Sequence, residues 1–344
     1  SLLFGAITGG LAMVTTIVCM FFAAISGSAM ATTSAIGSFM IPAMKDKGYD
    51  KGFSAALAAA AGTIGVIIPP SIPLVIYGVV TGTSVSDLFI AGLFPGLLMG
   101  LILIITCYFL SKKNGYTAAD SWPTWRQVWV AFKSAIWALL APVFVLGGIY
   151  AGVFTPTEAA VIAVVYSLLV GMFIYKELDM KGIYKALYDT IVINGVTTFM
   201  VGFSMAFAGY LSIQGLPEQI ASTLLRISDS PFILFLIINL FLLILGCLID
   251  NIPATIILSP ILLPVVTALG MSPVTFGVML TMNLAIGFVT PPYGINLFVA
   301  MAVGNLKMGE MMKYMWWFFG ALCLALAITT YVPALTLALV NWLR

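Results

Sequence analysis

The chain has 344 residues, 62% of them hydrophobic and only 8% charged, with a formal net charge of +2 and no histidine. Soluble domains carry about 25% charged residues, so the composition excludes a soluble protein, and nothing in it points to nucleic acid. The missing histidines exclude histidine-based acid–base, nucleophilic and metal chemistry.

The apolar runs are long enough for membrane helices and lack the roughly ten-residue alternating segments of a barrel. The expected fold is an all-α polytopic membrane protein. Cys19, Cys107, Cys247 and Cys323 each lie inside an apolar run without CxxC spacing and read as packing residues. The chain starts at Ser1 directly in a hydrophobic run, and further sequence is expected upstream.

In chain order, residues 10–44 read as a re-entrant hairpin. An apolar arm runs to a small, polar cluster, SGSAMATTSAIG at 26–37, and a short second arm leads to Lys45–Lys51. Residues 53–85 are a broken helix, because GTIGVIIPPSIPLVIYG at 62–78 contains Pro69-Pro70. A Pro-Pro pair removes two backbone donors and keeps the preceding residue out of the helical region. Residues 88–110 form an uninterrupted span. Residues 111–134 form a polar, interfacial connector with Trp122, Trp125 and Trp129 on one helical face. Residues 135–153 span, Thr155, Pro156 and Glu158 start the next helix, and 159–175 return. Lys176, Lys181 and Lys185 mark a loop, 187–213 span again, and 214–230 are a polar connector.

A second unit follows. Residues 231–249 and 252–269 flank Asp250-Asn251 as another hairpin. Residues 273–305 are the second broken helix, with LAIGFVTPPYGINLFVA at 284–300 holding Pro291-Pro292. Residues 314–343 form the last long span. A shift of 222 positions superimposes Pro69-Pro70 on Pro291-Pro292, Thr33 on Thr255, Pro42 on Pro264 and Gly65 on Gly287. One ungapped register implies a duplicated unit.

If each hairpin returns to its own side, loops 45–52, 111–134, 176–185 and 307–313 share a face. That face holds twelve of the fourteen Lys and Arg residues and is cytoplasmic by the positive-inside rule. The two units are then inverted. The expected organisation is a first inverted repeat over 1–110, connector and scaffold helices over 111–230, and a second inverted repeat over 231–344.

Unwound backbone at membrane depth survives only where protein buries it or where it lines a cavity, and paired breaks mark a transporter's binding site. A hard cation such as Na+ favours oxygen ligands, so the symmetry predicts two ion sites. The first takes Ser26, Ser28, Gly65, Ile68 and Pro70. The second takes Gly246, Gly287, Thr290 and Tyr293. Substrate candidates are Thr32, Thr33, Ser71, Asp250, Asn251, Thr255 and Asn296. Asp250 is the one carboxylate deep in an apolar stretch, where burial is costly and ionisable groups are functional by default. The competing reading makes the hydroxyls helix glue and Asp250 a cap.

The segments AISGSAMATTSAIGSFMIPAMKDKGYDKGF, AAGTIGVIIPPSIPLVIYG, GVFTPTEAA and TPPYGINLFVA, in that order, resemble the large membrane (M) subunit of TRAP (tripartite ATP-independent periplasmic) transporters. The resemblance covers nearly the whole chain. It implies an inner-membrane protein, a small membrane partner subunit (Q), a periplasmic substrate-binding protein (P), and Na+-driven uptake of a carboxylate substrate such as sialic acid or a C4-dicarboxylate. It also implies an elevator motion. The alternatives are proton coupling through Asp250 and a passive channel. A membrane-embedded enzyme is disfavoured by the lack of a nucleophile–base pair or metal cluster.

Overall fold

The computed structural model describes residues 8–116, 125–228 and 230–344. It is all-helical, with no strand among the described residues. The first hairpin pairs α1 (Gly10–Ser26) with α2 (Ala29–Asp46) across a two-residue turn. Gly27 makes the turn at φ 62, a left-handed conformation that costs glycine little, and its N–H closes α1 on the Ala23 carbonyl. Ser28 then caps α2 by accepting from the Ala31 N–H.

The first broken helix starts with α3 (Lys51–Gly62), capped by Asp50, whose carboxylate accepts from the Gly52 and Phe53 N–H groups. Every residue from Gly52 to Ile68 is buried. A helix apolar on all sides belongs in a core, and its run of alanines lets neighbouring helices close on it. A 3-10 turn at Thr63–Val66 unwinds the chain, Pro69-Pro70 follows in cis, and α4 (Ile72–Thr81) resumes. The span α5 (Val85–Asn114) closes the unit.

The middle of the chain holds α6 (Trp125–Tyr150), α7 (Pro156–Leu169), a π turn at Val170–Ile174, α8 (Met180–Ile213) and α9 (Leu216–Ile227). Three sequence expectations change here. Residues 125–134 are the first turns of α6, not a separate connector, and Trp122 lies outside the described residues. Lys181 and Lys185 sit on α8, because Asp179 caps that helix by accepting from the Gly182 N–H and starts it earlier than the apolar run. The 214–230 connector contains a helix, α9, whose Leu216 and Ile220 pack on the core. At about 1.5 Å per residue, the 34 residues of α8 make a rod about 51 Å long, and most of its side chains are exposed.

The second unit comprises α10 (Pro231–Gly246), α11 (Asn251–Ala268), α12 (Pro273–Gly287), α13 (Ile295–Gly304), α14 (Met308–Tyr331) and α15 (Ala334–Leu343). The expected single span over 314–343 is two helices. Pro333 lacks an N–H and breaks it, and α15 then folds onto α5 and α12. Thr275 and Thr336 hold that fold-back with hydroxyls 2.7 Å apart, and Arg344 pairs with Asp87 at the start of α5.

Element bounds follow the register of the sequence. Moving Ala29–Asp46 by 222 positions gives 251–268, the bounds of α11. The same shift carries the first residue of α3 onto that of α12, and the cis Pro69-Pro70 bond onto the cis Pro291-Pro292 bond. The packing is reciprocal too. α2 lies against α13, the far half of the second broken helix, and α11 lies against α4, the far half of the first. Among the described residues five helices are long and apolar enough to cross a membrane: α5, α7 with its π turn, α8, α11 and α14.

Candidate functional site

Each proline pair strips donors from the carbonyls one turn earlier, because an N–H at position i bonds the carbonyl at i−4. In the first break the affected carbonyls belong to Gly65 and Val66. Ser71 answers one of them, its hydroxyl donating to the Val66 carbonyl at 2.6 Å while also accepting from the Leu74 N–H at 3.3 Å. The Gly65 carbonyl receives none of the described hydrogen bonds. In the second break the affected carbonyls are Gly287 and Phe288. Thr290 N–H and Asn296 N–H reach them, each at 3.0 Å.

The first hairpin tip rests on its own unit's break. A Cβ built on Gly65 would lie 2.5 Å from Thr32 Oγ1 and 2.6 Å from the Ser28 carbonyl oxygen. One on Gly27 would lie 2.8 Å from the Pro70 carbonyl oxygen. Glycine at both places is what lets hairpin and break touch. Thr32 Oγ1 sits 3.0 Å from Ser26 Oγ and donates to the Ser28 carbonyl at 2.8 Å. The Ile72 N–H, first in α4, donates to the Gly27 carbonyl at 3.4 Å. Ser26, Ser28, Thr32, Gly65 and Pro70 are therefore one oxygen-rich cluster, and Ile68 is buried within the same unwound link.

The second cluster has the same construction with different atoms. Gly246, the last residue of α10, lies directly against Gly287, the last of α12, at a separation no Cβ would permit. The Tyr293 N–H donates to the Cys247 carbonyl at 3.1 Å, tying the unwound link to the second hairpin tip. Thr290 donates to the Ile286 carbonyl at 2.9 Å. Gly246, Gly287, Thr290 and Tyr293 thus surround one junction of hairpin and break.

The substrate candidates divide. Ser71 is buried with both hydrogen-bonding directions engaged as the cap of α4, so its hydroxyl serves the backbone. Thr255 is buried and donates to Asn251 Oδ1 at 3.0 Å, which presents Asn251 in a fixed orientation. Asn296 donates to the Ala59 carbonyl of α3 at 3.2 Å, a direct bond from the second broken helix to the first. Three of their buried polar atoms have no protein partner: Thr33 Oγ1, Asn251 Nδ2 and Asn296 Oδ1. A buried polar atom without a partner is costly, so these mark places where a ligand, ion or water completes the bonding. Asp250 is the N-cap residue of α11, yet its carboxylate makes no capping bond to that helix.

Sequence reasoning missed Gly62 and Val66. Thr33 fills the space a Cβ on Gly62 would need, which lets α2 lie against the end of α3. The signal was present as two glycines three residues apart, Gly62 and Gly65, on the same side of a turn. A cavity of about 450 Å³ opens beside the first cluster, between Ser26, Gly27 and Ser71 on one side and Val145, Ile149 and Ala160 of α6 and α7 on the other. Among the described residues no three Cys, Asp or Glu side chains converge, so a cation here would be held by hydroxyl and carbonyl oxygens.

The geometry defines a class, that of helical membrane proteins built round two interrupted helices, each docked on a hairpin tip. Residues 1–335 match the model of the family described as the tripartite ATP-independent periplasmic transporter, DctM component, and the chain belongs to that family. Its members are inner-membrane transporters and not enzymes. The chain is 44% identical over 96% of its length to the isethionate TRAP transporter permease protein DctMQ of Oleidesulfovibrio alaskensis, of which it spans 52%. It is 40% identical over 98% of its length to the C4-dicarboxylate TRAP transporter large permease protein DctM of Pseudomonas aeruginosa, of which it spans 79%. It is 39% identical over 98% of its length to the sialic acid TRAP transporter large permease protein SiaM of Vibrio cholerae, again spanning 79%. The chain therefore covers about half of the first of these relatives and about four fifths of the other two.

Proposed function

We propose that this chain carries a small organic anion bearing a carboxylate into the cell by Na+-coupled secondary transport. The observation that carries the reading is the pairing of each helix break with a hairpin tip through glycine-to-backbone contact. In the first unit this brings the Ser28 carbonyl and the Ser26 and Thr32 hydroxyls against Gly65, whose own carbonyl receives none of the described hydrogen bonds. Those are neutral, hard oxygen ligands, the kind a monovalent alkali cation takes when a half-helix end supplies them. The second unit offers a related set at Gly246, Gly287, Thr290 and Tyr293, which supports two ions per cycle.

Half-helix N-termini attract anions. α2 and α4 begin at the first cluster, and α11 and α13 begin at the second. The substrate then sits between the clusters, with Thr33, Asn251 and Asn296 supplying the polar atoms that lack protein partners. The relatives' names span dicarboxylates and a sialic acid, which bear carboxylates, and isethionate, whose anionic group is a sulfonate, so all three are organic anions and two of them fit the carboxylate reading. The expected partners are a small membrane subunit (Q), fused to the large one in the DctMQ relative, and a periplasmic binding protein (P) that delivers substrate. Movement of hairpins and breaks as one body against α6–α8, an elevator, fits the cavity between the first tip and α6–α7.

The test is uptake into proteoliposomes holding both membrane subunits, with the binding protein outside, while Na+ and pH gradients are imposed separately. Uptake driven by Na+ alone, and lost in Ser28→Pro but retained in Asp250→Asn, supports the reading. Uptake that ignores Na+, follows the pH gradient and vanishes in Asp250→Asn would replace it with proton coupling.

A further inference from the structure

We infer that a groove between α5 and α14, distant in sequence from both clusters, is a binding site for an anionic phospholipid. The groove holds about 610 Å³, within the range of roughly 300–1,000 Å³ that ligand sites occupy. Its α5 wall is the ridge Ile102, Ile105, Phe109 and Lys113, spaced by three and four residues. Its α14 wall is Trp317, Gly320 and Leu324 at the same kind of spacing. Gly320 is what makes it a groove, since a Cβ there would meet nothing within 4 Å.

The two ends differ in chemistry. One end is apolar. At the other, α5 finishes with Lys112 and Lys113, and α14 begins beside Lys313, one turn before Trp316 and Trp317. Lys113 Nζ lies 5.1 Å from the centre of the Trp317 ring, and Lys313 Nζ lies 5.1 Å from that of Tyr314. Among the described residues neither lysine has a carboxylate partner. An unpaired cation over an aromatic face inside the groove, Lys113, with a second, Lys313, one turn before Trp316 and Trp317 on α14, complements one amphiphile: an acyl chain ending in a phosphate of net negative charge. A neutral headgroup gains nothing from the lysines, and a soluble anion gains nothing from the groove. Basic pockets between membrane helices at the Lys-rich face select anionic headgroups by this combination. The lipid would join α5 and α14, the spans that close the two units.

The experiment uses the full-length protein in nanodiscs and phospholipids brominated on an acyl chain, which quench a tryptophan they touch. The signal is the difference in emission between the protein and its Trp316→Phe/Trp317→Phe form. Brominated phosphatidylglycerol is expected to quench this signal at a mole fraction several-fold lower than brominated phosphatidylcholine. Lys113→Gln and Lys313→Gln should each reduce the preference about fivefold at low salt, and Gly320→Leu should weaken quenching by both lipids. Equal quenching by the two lipids overturns the proposal. Quenching by neither also overturns it, because the groove is then covered by protein. If the tryptophan variants do not fold, mass spectrometry of the unmodified protein released from discs of mixed lipid decides the matter. Selective retention of phosphatidylglycerol supports the site, and retention in proportion to the mixture refutes it.

Discussion

Adding one methyl group at Gly65 probes the contact on which the first cluster depends. The new Cβ would lie 2.6 Å from the Ser28 carbonyl oxygen, 3.0 Å from the Ser28 carbonyl carbon and 2.5 Å from Thr32 Oγ1. Thr32 can rotate away, but Ser28 contributes backbone and cannot. Ordinary contact begins near 3.4 Å, so the hairpin tip must withdraw by roughly 0.8 Å, the difference between 3.4 Å and 2.6 Å. Ion ligands tolerate only about ±0.2 Å, so the displacement is several times what a bound cation allows. Overpacking of this kind costs about 1–3 kcal/mol, small enough for a membrane protein of this size to remain folded. The assay is thermal unfolding of the purified protein in NaCl against choline chloride, since a ligand bound only to the folded state stabilises it. The parent should melt higher in NaCl, and Gly65→Ala should melt at one temperature in both salts. Gly195→Ala, on α8 where a Cβ meets nothing within 4 Å, should keep the full Na+ response. A Gly65→Ala protein with an undiminished Na+ response would show that hairpin and break do not meet as described.

Other consequences can be checked with the same protein. Ser71→Ala removes the cap of α4 and the donor to the Val66 carbonyl, so it should lower unfolding free energy by about 1–2 kcal/mol, whereas Ser71→Thr should restore most of it. Asn239 and Asn283 are joined at 2.7 Å inside the bundle, with Asn239 donating on to Thr330 at 3.2 Å. A double-mutant cycle of Asn239→Leu and Asn283→Leu should return a coupling of about 0.6–1.7 kcal/mol, and zero coupling would remove the bond. Asn296→Ala deletes the buried bond to Ala59 and one partnerless oxygen, so uptake measured at equal amounts of folded protein should fall more than tenfold, alongside a stability loss of about 1–3 kcal/mol. Arg344→Gln should change stability by less than about 1 kcal/mol in ordinary salt, because Arg344 is 62% exposed although Asp87 is not.

The hairpins and breaks were legible because their causes are local. A proline pair removes donors wherever it falls, and Gly27-Ser28 turns and caps in two residues. The repeat was legible because Thr33, Gly65 and Pro69 recur in one register. Less legible were features decided between elements. α8 starts at Asp179, a cap whose effect competes with two lysines that looked like loop. α15 separates from α14 at Pro333, inside a run apolar enough to pass for one span. α9 hid in a polar stretch because its few apolar positions carry the packing. In the site, Ser71 read as a substrate contact, and only the placement of Val66 shows that its hydroxyl serves the backbone. The abutment of Gly246 on Gly287 joins residues 41 positions apart in sequence, and no spacing rule could reveal it.

The length of α8 has a consequence of its own. A rod of about 51 Å cannot stand upright in a hydrocarbon layer of about 30 Å without leaving several turns in water or leaning over. Among the described residues its main contacts are with α11 and α9, so bilayer thickness is one determinant of its inclination. Thinner membranes should lay α8 flatter and pull on α11, against which it packs, making acyl-chain length a mechanical input to the second hairpin.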